Sequence, residues 1–161
     1  MKKTIQQALR AIEQARHGNS RGIDSSAAAI FMRLAALSRR LNAFHSAALK
    51  SEGLSTSEYQ LLALAWSLGP QPPRDLNGLL LLTSGALTNA LDRLQQAGHI
   101  RRRRNPEDGR SVIVELTAGG SRLAERLVPL EMAAQARQLA ALSRAEKREV
   151  VTALDRLIDV F

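Results

Sequence analysis

The 161-residue sequence predicts a mainly α-helical protein with one small β-hairpin. Three observations lead to this fold class. Apolar residues recur every three or four positions along most of the chain, and long segments of this kind occupy both ends. Near the middle, an arginine-rich stretch and a β-branched stretch flank a turn, which is the pattern of two paired strands. We therefore expect long helices at both ends and a hairpin between them.

Composition narrows the class of protein before any motif is considered. The chain is long enough for one domain with its own core. Lys and Arg number 23 against 15 Asp and Glu, so the formal net charge is +8, which favours nucleic acid or an anionic surface as a partner. No apolar run approaches the ~20 residues of a membrane span, and we expect a cytoplasmic protein with no membrane partner. The absence of cysteine excludes disulfides, thiolate zinc sites and thiol-based redox sensing.

Residues 1–22 are basic and predict a short helix. Ile5, Leu9 and Ile12 lie at helical spacing, and Glu13 is the single acid among five basic residues. Polar residues interrupt this apolar stripe, which argues against a signal peptide. Two interpretations stay open for this segment: a basic arm or addition to a dimer interface, or a partly frayed end. We expect a linker at residues 17–22.

Residues 23–50 predict a long helix with an apolar seam. The stretch from Asp24 to Ser26 can cap this helix, which should reach about Leu49. The seam advances in alternating steps of three and four, like a heptad repeat. It consists of Ala27, Ile30, Leu34, Leu37, Leu41, Phe44 and Ala48. A seam of this length needs a partner helix.

Residues 118–161 predict two further helices. Thr117 can cap the first, and Ser143 with Glu146 has the spacing of a capping box for the last. Because both ends of the chain share an apolar periodicity, we expect residues 23–50 and 118–161 to form one helical region. Periodicity alone does not distinguish a core within one chain from an interface between two chains.

The intervening residues 51–117 predict a compact lobe. Its first helix carries Trp66, for which a core position and the wall of a ligand pocket both remain open. The proline-rich loop at residues 69–73 prepares the start of a second helix. Thr83 caps a third helix, and Gly98 supplies its left-handed stop. The second and third helices make a helix-turn-helix.

The third helix and the hairpin after it complete a winged helix-turn-helix. At about 100° per residue, the helix face opposite its apolar stripe is short and polar. This face carries Ser84, Gly85, Thr88, Asn89 and Asp92, with Arg93 on its flank. Strands are expected at Ile100–Arg104 and Val112–Leu116, joined by a turn at residues 105–110. We call this hairpin, residues 100–116, the wing.

A polar helix face beside an arginine-rich wing suits duplex DNA. The major groove admits a helix whose Ser, Thr and Asn side chains can bond base edges. Arginines bind phosphates or enter a narrow minor groove. Taken by itself, the arginine run also has a plainer interpretation, that of a solvated surface.

The order of residues in this lobe resembles that of the MarR family of bacterial winged-helix regulators. The matching stretches are LTSGALTNALDRL at residues 82–94, GHI at 98–100, PEDGRS at 106–111 and VELT at 114–117. The close resemblance covers roughly residues 54–127. Two features depart from the family pattern: four consecutive arginines follow Ile100, and Asn89 stands where many members have arginine. The resemblance implies a homodimer in which the terminal helices form a dimerisation region.

The resemblance also implies roles for individual side chains. Ser84, Thr88 and Asn89 would contact bases with Gly85 beside them, Thr83, Arg93, Arg102 and Arg103 would bind phosphates, and Arg110 would enter the minor groove. Asp108 would orient Arg110 and with it the wing; the alternative is an ordinary turn aspartate beside a free arginine. Independently of the resemblance, phosphates would repel Asp92 unless it is paired, so we expect a wing arginine to bind Asp92 and fix the wing against the helix. His45 and Trp66 are candidates for the wall of a pocket that holds a small anionic or aromatic effector.

The sequence offers no support for catalysis, a cofactor or a metal site. It has no glycine-rich phosphate loop, no nucleophile elbow and no acid cluster, and its three histidines lack metal-ligand spacing. We expect a ligand-responsive repressor, not an enzyme, that binds double-stranded DNA at a pseudo-palindromic operator. Two alternatives are a non-specific architectural DNA-binding protein and a winged-helix module for protein interaction.

Overall fold

The computed structural model of the protein describes residues 5–19, 25–106, 108–109 and 111–160, without the side chains of residues 5, 16–19, 25, 45–48 and 50. The chain divides into two compact units, residues 1–56 and 57–161. The helices are α1 Ile5–Asn19, α2 Ser25–Leu49, α3 Thr56–Leu68, α4 Pro73–Leu80, α5 Ser84–Gln96, α6 Ala118–Gln138 and α7 Arg144–Ile158. The strands are β1 Ile100–Arg104 and β2 Val112–Leu116, and a short 3-10 turn follows α2. The predicted fold class is confirmed.

In the first unit, α1 packs beside α2. Arg33 of α2 donates a hydrogen bond to the Glu13 carboxylate of α1 at 2.9 Å, and Ala29 of α2 is buried. The predicted helix near the start of the chain is therefore present. It continues through His17, Gly18 and Asn19, so the prediction of a linker was wrong at these three positions. Gly and Asn are common at helix ends, and such residues do not by themselves fix where a helix stops.

Three large residues of the apolar seam of α2 are exposed in the single chain. Ile30, Leu37 and Leu41 keep 46%, 48% and 46% of their surface accessible, while α1 covers a neighbouring stripe of the same helix that includes Ala36. The partner helix that the seam requires is thus not supplied by α1.

The core of the second unit forms where α3, α4, α5 and the wing meet. Its largest fully buried side chains are Leu61, Leu62, Leu76, Leu94 and Val114. Trp66 is not part of this core, because 41% of its surface is exposed. The interpretation of Trp66 as a core residue was therefore wrong. Trp66 lies at the end of the buried stripe of α3, and a ring of its size is rarely covered completely.

The two strands of the wing pair antiparallel, with Ile100 opposite Leu116 and Arg104 opposite Val112. A feature that the sequence did not predict extends this sheet by one residue. Gln71 exchanges two backbone hydrogen bonds with Val114, at 3.0 and 2.8 Å. The proline-rich loop is thereby attached to the free edge of β2, so the start of α4 is positioned by the wing.

Leu81, which ends α4, adopts a left-handed backbone conformation with φ 51° and ψ 38°. Its amide donates to the Asn77 carbonyl at 2.8 Å, and its side chain contributes little packing because 86% of its surface is exposed. The left-handed conformation costs an L-residue about 1–2 kcal/mol and costs glycine almost nothing.

Leu81→Gly should therefore stabilise the protein by about 0.5–1 kcal/mol, after allowance for the extra freedom of glycine in the unfolded chain. Leu79→Gly is the matched control, since Leu79 is also exposed but lies within the right-handed α4. That variant should lose about 1 kcal/mol. Urea unfolding at one fixed protein concentration measures both. The interpretation fails if the two variants change stability in the same direction.

The helix that follows the wing begins with a very close backbone approach. Thr117 caps α6 by accepting a hydrogen bond from the Gly120 amide at 3.0 Å, and its own hydroxyl lies 2.6 Å from the Gly98 carbonyl oxygen. A Cβ added at Gly120 would overlap the His99 carbonyl oxygen and lie 2.8 Å from its carbon. Glycine is thus required where α6 crosses the start of β1.

The last helix, α7, has the predicted capping box: Ser143 and Glu146 exchange side-chain and backbone hydrogen bonds at 2.7 and 3.2 Å. None of its described residues is buried. Val150, Val151, Leu154 and Ile158 are exposed apolar side chains at helical spacing. These four side chains of α7 are left uncovered by the other described residues of their unit. No helix among the described residues has the length and apolar character needed to cross a membrane.

Candidate nucleic-acid interface

The third helix of the lobe, α5, presents its polar face to solvent. Ala90, Leu91 and Leu94 are buried on one side. As a consequence of the helical period, the candidate DNA-contacting residues of the other side are all exposed: Thr83, Ser84, Gly85, Thr88, Asn89 and Arg93. The face predicted from spacing is therefore the accessible face of the folded lobe.

The first turn of α5 is fixed by its own side chains. The Thr83 hydroxyl accepts a hydrogen bond from the Ala86 amide at 3.2 Å, which confirms Thr83 as the N-cap. Thr88 donates its hydroxyl proton to the Ser84 carbonyl at 2.9 Å. The Thr88 oxygen can still accept a hydrogen bond, for example from a base amino group. A Cβ added at Gly85 would meet no atom within 4 Å, so this position is open.

An ion pair joins α5 to the wing. The Asp92 carboxylate lies 2.7 Å from a terminal nitrogen of Arg102, whose side chain is only 30% exposed. This pair confirms the expectation that a wing arginine neutralises Asp92. Because Arg102 is engaged by a carboxylate, a phosphate would have to compete with Asp92 for it. The phosphate-binding role of Arg102 stays a prediction, and the role that the geometry supports is to hold the wing against the helix.

Arg93 lies on the flank of α5 and remains largely exposed. Its guanidinium is 3.8 Å from the Glu58 carboxylate of α3, a side chain that is itself buried. At that distance the contact is a loose ion pair that leaves the arginine's hydrogen-bond donors available to a phosphate.

The opposite face of the wing holds an arrangement that the sequence did not reveal. Arg101 and Arg103 both donate their Nε–H groups to Glu115 of β2, the second at 2.7 Å. The hydrogen bond from Arg103, with a further one from Arg101, holds the pKa of the Glu115 carboxyl below its usual range against the effect of burial. Glu115 is therefore ionised at neutral pH.

The comparisons with known proteins agree with this geometry. The model of the MarR family matches residues 54–112. An HTH-type transcriptional repressor of Mycobacterium bovis, Mb2911, is 33% identical over 112 residues, which are 70% of this chain and 81% of the relative. The chain belongs to the MarR family. Its relatives are transcriptional regulators and repressors.

Two solved structures show the MarR fold in this chain. The Staphylococcus aureus MepR–DNA complex superposes with a TM-score of 0.70 at 18% identity and covers 79% of this chain and 94% of its own. The regulator PcaV of Streptomyces coelicolor, crystallised with its natural ligand, gives a TM-score of 0.65 at 24% identity and covers 76% of this chain and 89% of its own. The wing and α5 thus belong to a winged helix-turn-helix.

The remaining candidate residues of this MarR-family chain are only partly covered by the structure. Arg110 lies outside the described residues. Asp108 is exposed, and its carbonyl closes the turn by accepting bonds from the Ser111 amide and hydroxyl at 2.9 and 3.0 Å. Its role in orienting Arg110 stays a prediction. The side chain of His45 also lies outside the description, and the pocket role of the half-exposed Trp66 is untested. Within the described ranges, no group of three metal-binding side chains occurs.

Proposed function

We propose that the protein is a homodimeric repressor that binds a pseudo-palindromic operator and releases it when a small effector binds. The observation that carries this proposal is the exposed polar face of α5 beside an arginine-rich wing that the Asp92–Arg102 ion pair holds in place. Because the helix and the wing are already fixed relative to each other, they can enter adjacent grooves of one duplex without a further loss of conformational entropy. The protein would act on the chromosome, in the cytoplasm.

On DNA, α5 would lie in the major groove. Ser84, Thr88 and Asn89 are then the side chains that reach base edges. Thr83, at the start of α5, and Arg93, on its flank, would bind phosphates, and Arg110, in the predicted turn of the wing, would enter the minor groove. The description of MepR as a DNA complex and the naming of Mb2911 as a repressor support this use of the shared fold.

The homodimer is supported by two exposed apolar stripes. One consists of Ile30, Leu37 and Leu41 of α2, and the other is formed by Val151, Leu154 and Ile158 of α7 with their neighbours. Contiguous apolar stripes of this kind mark association surfaces in proteins that are otherwise polar outside. A two-fold dimer would place two α5 helices about 34 Å apart, one turn of DNA, and so read a pseudo-palindrome.

The proposal includes control by a small effector. PcaV is described with a natural ligand, which supports ligand control in this fold. A small anionic or aromatic molecule would act by favouring a conformation whose α5 helices no longer match the spacing of the two half-sites.

The test of this function is binding to the DNA around the protein's own gene, with a scrambled duplex as competitor, over a salt series. We expect a marked preference for one segment and a log–log salt slope that grows by about 0.9 for each phosphate neutralised. Equal binding to both duplexes would instead identify a non-specific architectural protein.

Arg110→Ala should lower operator affinity about tenfold and reduce the salt slope by about 0.9, because one groove-inserted charge is lost. Arg137→Ala removes an equal charge near the far end of α6, about 30 Å along that helix from the wing, and should leave affinity unchanged. Fluorescence anisotropy with a labelled operator measures both variants. If Arg110→Ala binds as tightly as the parent protein, the wing tip has no place in the interface.

A further inference from the structure

The Glu115 carboxylate of the wing binds two arginines, Arg101 and Arg103. The proposed DNA contacts do not explain why these three residues form one cluster. The strand register places Arg101 opposite Glu115 and Arg103 opposite Ile113, so the charged members of this set share one face. Glu115 Oε1 accepts the Arg101 Nε–H, and Oε2 accepts the Arg103 Nε–H at 2.7 Å. Arg102 points to the other face, where it binds Asp92. The two faces of β1 therefore use their arginines differently.

The burial of the three groups shows which of them a ligand would meet. The Glu115 side chain is 11% exposed, whereas those of Arg101 and Arg103 are 70% and 42% exposed. The carboxylate thus lies beneath two guanidinium groups. Since Glu115 binds Nε of each arginine, the terminal Nη groups of both form no hydrogen bond with other described residues. Such donors match phosphate oxygens.

We propose that Arg101 and Arg103 form a preassembled site for the phosphate backbone of DNA and that Glu115 is its positioning residue. This inference rests on the proposed function, and it assigns the phosphate contact of the wing to the Glu115 face instead of to Arg102. An unrestrained arginine loses side-chain freedom when it binds a phosphate. Here the two arginines lose that freedom on folding, so binding does not have to supply it.

The direction in which one substitution changes DNA affinity distinguishes a positioning role of Glu115 from an effect of net charge alone. Glu115→Gln removes a negative charge from a DNA-binding surface, and charge alone would make DNA binding tighter. The amide, however, keeps only one oxygen acceptor and turns an N–H donor toward the second arginine. If Glu115 acts by positioning, affinity must fall although the net charge becomes more positive.

The experiment is a fluorescence anisotropy titration of a labelled operator at about 0.2 M salt, where distant charges are screened. We expect Glu115→Gln to weaken binding about fivefold to tenfold. Glu125→Gln on the exposed side of α6 is the matched control, with the same change of charge and an expected affinity equal to or above that of the parent. Equal or tighter binding by Glu115→Gln overturns the proposal.

A second set of variants tests the coupling of the three residues. The double variant Arg101→Lys with Arg103→Lys keeps both positive charges but loses the Nε–H hydrogen bonds to Glu115. Affinity for the operator should therefore fall while the salt slope stays the same. Adding Glu115→Gln to this pair should cause no further loss, because the arrangement is already broken; fully additive losses contradict the proposal. Thermal unfolding confirms that each variant folds.

The parent protein provides the reference for the proposed function itself. If the parent binds operator and scrambled DNA equally, the repressor function fails, and the phosphate site is then judged by whether Glu115→Gln weakens that non-specific binding. If the parent binds operator and Glu115→Gln binds it equally well, only the phosphate site fails.

Discussion

Gly120→Ala is expected to destabilise the protein by at least about 2 kcal/mol. The new methyl group would overlap the His99 carbonyl oxygen and lie 2.8 Å from its carbon, and both atoms belong to backbone that cannot rotate away. Relief requires α6 to move from β1, which would break the hydrogen bond from the Thr117 amide to the His99 carbonyl at 3.0 Å. Forced overpacking of this kind costs 1–3 kcal/mol in a typical core and more where backbone is involved.

Gly119→Ala provides the control for this prediction. A Cβ at Gly119 would meet its nearest atoms at 3.5 and 3.7 Å, which are ordinary contacts. Because alanine favours a helix over glycine, this variant should be neutral or more stable by up to about 1 kcal/mol. Urea unfolding followed by the fluorescence of Trp66, the chain's single tryptophan, measures both. Equal stability of the two variants would show that α6 does not approach His99 so closely.

The second large effect is expected at the apolar stripe of α7. Val151→Glu combined with Ile158→Glu should convert the proposed dimer to a monomer, since four like charges would be buried in its two-fold interface. Both side chains are already exposed in the single chain, at 56% and 69%, so the fold of each subunit should change by less than about 0.5 kcal/mol. A monomer binds one half-site at a time, and operator affinity should fall about 100-fold or more.

Thr152→Glu tests whether this effect depends on the face of α7. Thr152 is exposed on the side that also carries Arg148 and Asp155, away from the apolar stripe. The variant should remain dimeric and bind operator normally. Sedimentation equilibrium gives the oligomeric state, and the anisotropy assay gives the affinity. A double variant that still sediments as a dimer would rule out α7 as part of the interface.

Features set by neighbouring residues were predictable from the sequence. The caps at Thr83 and Ser143, the left-handed stop at Gly98 and the strand bounds of the wing all follow from residues a few positions apart, and all were confirmed. The Asp92–Arg102 pair was also foreseeable in kind. A carboxylate on a DNA-binding surface needs a neighbouring cation to neutralise it, and the adjacent wing carries arginines that can do so.

Features that depend on how distant segments meet were not predictable. Glu115 looked like an ordinary strand residue, because its two arginines are found only once the register of the wing is known. The attachment of Gln71 to β2 involves a single residue and leaves no periodic signal. The exposure of Trp66 depends on where the helix that carries it leaves the core. The signal that could have revealed the Glu115 arrangement is the length of the turn, which fixes register in a hairpin.

The junction at Thr117 has a mechanical consequence for the lobe. Two of the residues that link α5 to the wing meet the first turn of α6 there, with the Thr117 hydroxyl between the carbonyls of Gly98 and His99 at 2.6 and 3.2 Å. Backbone packed so tightly has almost no compressibility. A tilt of α6 would therefore also tilt α5 and the wing. A disturbance far along α6 can in this way change the angle at which α5 approaches DNA.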